Sequence, residues 1–173
     1  LRLGQKLYGL KIENRGTITR PKLKITIFAN KNLSNGEILW LSDEIEWRFE
    51  LNTDLRRFRA MAYKDKRFYP LFKKWMGMRN ANQYSLYELL MISIVLQNAT
   101  VRRSQQMLDA LLGRFGIAIT FDGKKFWAMW LPEDLEKISE QELRDLKIGY
   151  RVKFIKRLSH DFTEGKINEM ELR

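Results

Sequence analysis

Residues 85–116 read SLYELLMISIVLQNATVRRSQQMLDALLGRFG, and this stretch decides the fold. Ser85, with Glu88 three residues on, forms a capping box: each side chain can satisfy a backbone N–H that the first turn of a helix leaves unpaired. The helix so opened, Leu86 to Leu96, is apolar nearly all round, which predicts the buried centre of a domain. Thr100 or Asn98 can then cap a second helix whose apolar stripe is Met107, Leu108, Leu111, Leu112 and Phe115. Gly113 or Gly116 closes it. Two capped helices joined by a short Gln-Asn turn are the nucleus from which the rest is read.

Downstream, Ile117 to Phe121, Asp122-Gly123 and Phe126 to Trp130 have the pattern of a short hairpin. Pro132 starts a brief helix, and Ser139-Glu140-Gln141-Glu142 is a second capping box. Gly149 ends that helix, and a last one runs from Tyr150 through Phe154, Ile155, Leu158 and Phe162 to Gly165. Upstream, the first fifty residues read as β. Alternation is clear over Lys22–Phe28 and again over Ile45–Glu50, with turn residues at Asn14-Arg15-Gly16 and from Asn30 to Gly36. From Asn52 the period becomes helical: Asn52 or Thr53 can cap a helix bearing Leu55, Phe58, Met61 and Ala62. A further helical set, Phe68, Leu71, Phe72, Trp75 and Met76, has Pro70 near its start. The expected fold class is α+β, an N-terminal antiparallel β-sheet followed by a mainly α-helical domain.

Bulk composition narrows the function classes. The 173 residues hold 32 Lys and Arg against 21 Asp and Glu, a net charge of +11, which attracts polyanions. Nucleic acid is the first candidate partner, an anionic membrane surface the second, and a merely Lys-rich soluble surface the bland reading. With no cysteine, disulfides, thiolate metal sites and a Cys nucleophile are excluded. The single histidine, His160, leaves no imidazole to spare for a His-based zinc site or a Ser-His-Asp triad. No cofactor or metal is expected. The run Leu89 to Leu96, apolar but for Ser93, is far below the ~20 residues of a membrane span. No signal-peptide pattern opens the chain, so an intracellular location is expected. The chain begins without Met in what reads as mid-strand and ends in a polar stretch, as a piece of a longer protein would. A cysteine-free, charge-rich composition also suits a thermophile.

Three segments can carry chemistry. Lys64 to Trp75, KDKRFYPLFKKW, mixes charge with aromatics, but at helical spacing the aromatics favour a core role over base stacking, and phosphate contact is the less favoured reading. In Gly149-Tyr150-Arg151-Val152-Lys153-Phe154 a helix starts just after a glycine with an aromatic first. Such a start can bind phosphate, and its Tyr can wedge between bases or simply pack. In Gln97-Asn98-Ala99-Thr100-Val101-Arg102-Arg103, amides held on a buried scaffold can read a base, or serve only as helix caps.

The order of these pieces resembles the first half of the helix-hairpin-helix glycosylase domain, whose superfamily includes 8-oxoguanine DNA glycosylase, the 3-methyladenine glycosylase II group and endonuclease III. The matching pieces are YELLMISIVLQNATVRRSQQMLDALLGRFG, WLPEDLEKI and EQELRDLKIGYRVKFI. The β-rich start is similar in architecture to the small antiparallel domain that precedes the core in the 8-oxoguanine and 3-methyladenine branches. The resemblance implies an antiparallel β part over 1–50, basic connecting helices over 51–84 and an incomplete glycosylase domain over 85–173.

Carried over residue by residue, it implies that Gln97 and Asn98 lie near the gap left by a flipped nucleotide. Asn98 and Arg103 match residues that contact the orphaned opposite base, and Tyr150 matches the intercalating aromatic. Arg151 and Lys153 would lie near the DNA by proximity. The implied partner is double-stranded DNA with a damaged base, met by a monomer without a membrane. The family's hairpin, its catalytic Asp and the hairpin Lys that gives some members lyase activity are absent; in the family's chain order they fall after residue 173. Asp161 and Glu164 do not replace them, since neither follows a hairpin. The implied function is a base-excision repair N-glycosylase, with this chain holding DNA contacts but no catalytic residue. The alternatives are a non-enzymatic nucleic-acid-binding protein and a protein-interaction module.

Overall fold

The computed structural model describes residues 1–17, 20–79 and 81–173. Chain contacts divide it into two units, one of residues 1–8 with 84–173 and one of residues 9–83.

The unit of residues 9–83 opens with a two-stranded antiparallel ribbon, in which β3 (Gly9–Asn14) pairs with β4 (Leu23–Phe28) so that Ile12 lies opposite Ile25. Three helices follow: α1 (Asn35–Arg48), α2 (Arg56–Lys64) and α3 (Tyr69–Lys74). Helix α1 corrects the expectation of a strand over Ile45–Glu50. Ser34 and Glu37 form a capping box that starts a helix where the sequence suggested only turn residues. Leu41, Ile45 and Arg48 then fall on one buried face at i, i+4 and i+7, with Glu44 beside them. The alternating Trp47, which a half-buried strand would place inside, is 51% exposed.

The Glu44–Arg48 pair is buried, with Arg48 Nε donating to Glu44 Oε1 at 2.7 Å and Arg48 Nη1 to the Gln83 carbonyl at 3.2 Å. Neither charge is left unmatched away from water, a condition that burial of ions imposes. Helix α2 starts three residues later than Asn52, or two later than Thr53, would set it: Asp54 accepts from the Arg56 N–H at 2.9 Å and no side chain caps the helix at Leu55. Phe58 packs edge-on against Phe68 and Phe72, with centroids 5.9 and 5.6 Å apart. Only part of the α2–α3 aromatic set is core, because Phe72 is buried and Trp75 is 58% exposed.

The other unit begins with β1 (Arg2–Leu3) and β2 (Lys6–Leu7), a minimal antiparallel pair. Its helical body comprises α4 (Leu86–Leu96), α5 (Val101–Phe115), the hairpin β5 (Ile117–Phe121) and β6 (Lys124–Ala128), then α6 (Pro132–Glu136), α7 (Glu140–Asp145) and α8 (Arg151–Thr163). Ser85–Glu88 and Ser139–Glu142 are true capping boxes, and Thr100 accepts from the Arg103 N–H at 3.2 Å. The hairpin turns on Asp122 and Gly123, both at positive φ, as a two-residue turn requires.

Met91, Val95, Met107, Leu111, Trp130, Leu135, Leu143, Ile148, Val152 and Ile155 form one core. Each large apolar side chain fully buried there contributes about 1.5–3 kcal/mol. A hydrogen-bonded chain crosses it: Trp130 Nε1 donates to the Tyr87 hydroxyl at 3.1 Å, which lies 2.8 Å from Ser159 Oγ, and that hydroxyl donates to the Ile155 carbonyl at 2.9 Å. Burial pushes the Tyr87 phenol up to about 12, against the opposing pull of its Ser159 and Trp130 partners. Helix α4 is central, although not buried all round: Leu89 and Leu96 are exposed on its outer face. Among the described residues no helix is long and apolar enough to cross a membrane.

The candidate nucleic-acid interface

Two turns of the helical unit meet at its surface. The first joins α4 to α5. Gln97 ends α4 with an extended backbone, and Asn98 takes a left-handed φ of 45°, which Asn tolerates better than most residues. The second turn joins α7 to α8 through Leu146–Tyr150. Lys147 and Gly149 both have positive φ, 57° and 67°, while Ile148 between them is fully buried. Ile148 thus anchors the turn in the core, and Gly149 provides the reversal that leaves Tyr150 outside at the start of α8.

Tyr150 is 47% exposed, and its hydroxyl lies 3.4 Å from Asn98 Nδ2 and 3.5 Å from the Gln97 carbonyl. Both bonds are long, so the ring is held in place weakly. Phe154, one turn along α8, meets Tyr150 edge-on at 6.1 Å and is 40% exposed. The Lys153 ammonium sits over the Phe154 ring at 4.9 Å, and Lys153 itself is exposed. These contacts make a small ledge with two aromatic rings, an amide and an exposed positive charge.

Arg151 faces the other way. It is only 6% exposed, and its guanidinium donates to the carbonyls of Ile94 at 3.2 Å and Ile148 at 3.4 Å, and also to that of Gln97. Ile94 and Gln97 lie in the last turn of α4, where carbonyls lack helical partners and a cation meets the negative end of the helix dipole. Arg151 therefore ties α8 to the end of α4 and stacks at 4.8 Å against the Tyr150 ring. Arg103 is exposed and reaches across to the Lys147 carbonyl, with a long contact to Gln106 Oε1 at 3.5 Å. It braces the turn that presents Tyr150.

Of the six residues singled out in the sequence, Gln97, Asn98, Tyr150 and Arg151 converge, Arg103 holds the adjoining turn, and Lys153 is exposed one residue from Phe154. In sequence Phe154 reads as one of the apolar positions of the last helix, yet its side chain is exposed. Its signal is spacing: the buried face of α8 runs Arg151, Val152, Ile155 and Ser159, which leaves position 154 outside. Among the described residues no group of three or more His, Asp or Glu side chains is placed to hold a metal ion.

Comparison with known proteins defines the class of this architecture. No family model matches the sequence. The fold matches the 3-methyladenine DNA-glycosylase from Archaeoglobus fulgidus at a TM-score of 0.72 and 15% identity, over 92% of this chain and 53% of that one. It matches MBOgg1, solved in complex with a low affinity DNA ligand, at a TM-score of 0.66 and 23% identity, over 94% of this chain and 52% of that one. The chain thus has the α+β fold of part of a DNA glycosylase.

In sequence, it is 27% identical to the DNA-3-methyladenine glycosylase of Bacillus subtilis over 141 residues, covering 75% of this chain and 46% of that protein. The chain thus resembles a DNA glycosylase in sequence as well as in fold, over part of that protein's length. The chain spans about half the length of these relatives.

Proposed function

We propose that this chain is the DNA-gripping portion of a base-excision repair glycosylase that removes oxidised or alkylated bases, inside the cell and as a monomer. Tyr150 enters the base stack beside the expelled nucleotide, as wedge side chains of DNA-bending proteins do. Asn98 and the outward N–H groups of Arg103 meet the orphaned base, the Gln97 amide lies at the edge of the gap, and Lys153 serves a phosphate. Arg151 works as a positioning residue, holding Tyr150 and the Gln97–Asn98 turn together. The observation that carries this reading is the meeting of Asn98 and Tyr150, 52 residues apart in sequence, at one exposed ledge.

Flipping a base costs a few kcal/mol, and least where the pair is damaged or mismatched. The weak 3.4 and 3.5 Å bonds of the Tyr150 hydroxyl suit that task, because they are released at little cost when the ring moves into the stack. Bond cleavage in the whole protein would pass through a cationic sugar stabilised by a carboxylate outside residues 1–173, and a hairpin lysine there could add strand cleavage through a Schiff base.

The 173-residue chain is expected to bind a duplex carrying an abasic-site analogue about tenfold tighter than the intact duplex, ~1.4 kcal/mol. Tyr150→Ala removes most of that preference. Base release from alkylated or 8-oxoguanine duplexes is expected only from a longer protein that includes the carboxylate. Detectable release by the 173-residue chain itself would overturn this division of labour.

A further inference from the structure

The positive charge of this chain is not concentrated where its candidate base contacts are. The unit of residues 1–8 and 84–173, which holds Asn98, Arg103 and Tyr150, carries 16 Lys and Arg against 13 Asp and Glu. The unit of residues 9–83 carries 16 against 8. Within it, residues 55–79 alone hold nine basic residues and a single acidic one, Asp65.

That aspartate is occupied locally, accepting the backbone N–H groups of Arg67 at 2.8 Å and Phe68 at 2.9 Å. Asp54, just upstream, is engaged by Arg56, whose Nη2 lies 2.8 Å from its carboxylate. Arg57, Lys64, Lys66, Arg67, Lys73 and Lys74 are all exposed, and none of the six makes an ion pair among the described residues. Arg57 and Lys64, seven residues apart, share one face of α2. Unpaired like charges crowded onto two short helices and the turn between them repel one another, and a polyanion relieves that repulsion.

We infer that the α2–α3 segment is a second DNA-contacting surface, one that grips phosphates without reading bases and supplies most of the chain's electrostatic affinity for duplex DNA. The inference rests on the DNA-handling reading above and assigns a part of it. Phosphate neutralisation provides nearly all non-specific affinity for DNA, and the nearly charge-balanced wedge unit has the smaller excess of cations to supply it. Four of the six side chains are lysines, point charges suited to phosphate rather than to bidentate base contacts. The exposed Leu71, Trp75 and Met78 beside them make an anionic lipid surface the competing occupant.

The test measures duplex affinity of the full chain from about 50 to about 200 mM salt, with and without an abasic-site analogue. Two variants are compared: Arg57→Gln/Lys64→Gln/Lys66→Gln/Arg67→Gln, and Lys73→Gln/Lys74→Gln. Each lost phosphate contact lowers the slope of log affinity against log salt by about 0.9. The expected reductions are about 2 to 4 for the first variant and about 1 to 2 for the second, with the damaged-to-intact affinity ratio unchanged. Unchanged slopes in variants whose circular dichroism and melting match the parent overturn the proposal. So does loss of binding to phosphatidylserine vesicles with the duplex slope intact. If one variant misfolds, the other decides. A parent chain that shows the expected slope changes but no preference for the abasic duplex keeps this surface and refutes the base-flipping reading instead.

Discussion

Arg151 turns inward although its neighbour Tyr150 turns out, and the cause is the set of carbonyls that each would otherwise leave bare. Replacing Arg151 by Met strips charge-assisted hydrogen bonds from the Ile94, Gln97 and Ile148 carbonyls. The expected loss is about 2–3 kcal/mol in urea unfolding. Retention of full stability would mean that the guanidinium is a solvent-facing group after all. Tyr87 offers a pH-dependent counterpart. Its folded-state phenol lies near 12, above the unfolded value of about 10. The neutral form is thus favoured in the fold, so the contribution is complete below pH ~10 and lost as pH rises towards ~12. Tyr87→Phe should be less stable at neutral pH by about 1–2 kcal/mol, because Trp130 Nε1 loses its acceptor. It should also show a flatter decline in alkaline unfolding than the parent. A parallel decline in both proteins would refute the buried-phenol account.

At the scale of elements, the helix starts were legible in the sequence wherever cap chemistry is local. Ser85, Thr100 and Ser139 each announce a helix within three residues, and the structure has all three. Thr100→Ala should therefore cost about 1 kcal/mol in thermal or urea unfolding. Helix α1 carried the same kind of signal in Ser34 and Glu37. It was overridden by the period-2 alternation of Ile45, Trp47 and Phe49, which is ambiguous over so short a run. Gly149 marks where local reading stops. A glycine before a helix was visible, but its φ of 67° and the buried Ile148 before it depend on how α8 seats against α4. An alanine Cβ at 149 would meet no atom within 4 Å, so the cost of Gly149→Ala is backbone strain alone. About 1–2 kcal/mol is expected, together with a weaker preference for abasic DNA as Tyr150 shifts. The inward course of Arg151 was equally illegible, since it follows from tertiary approach to the end of α4 rather than from any neighbour in sequence.

At the scale of the whole chain, the proposed reading divides two tasks between two units. Residues 84–173 hold the ledge of Asn98, Tyr150 and Phe154, and residues 9–83 hold the exposed, unpaired cations of α2 and α3. Composition made the +11 charge plain; its uneven partition required the unit boundary, which falls between Gln83 and Tyr84, one residue before the Ser85 cap. In the proposed function Tyr150 opens the base stack beside Asn98. This opening is tested most directly with a duplex carrying 2-aminopurine opposite an abasic-site analogue, since that base fluoresces when it is unstacked. A rise in fluorescence is expected on adding the 173-residue chain, abolished by Tyr150→Ala while binding to intact duplex is unchanged. An equal rise with the Tyr150→Ala chain, or none with the parent at saturating protein, would contradict it.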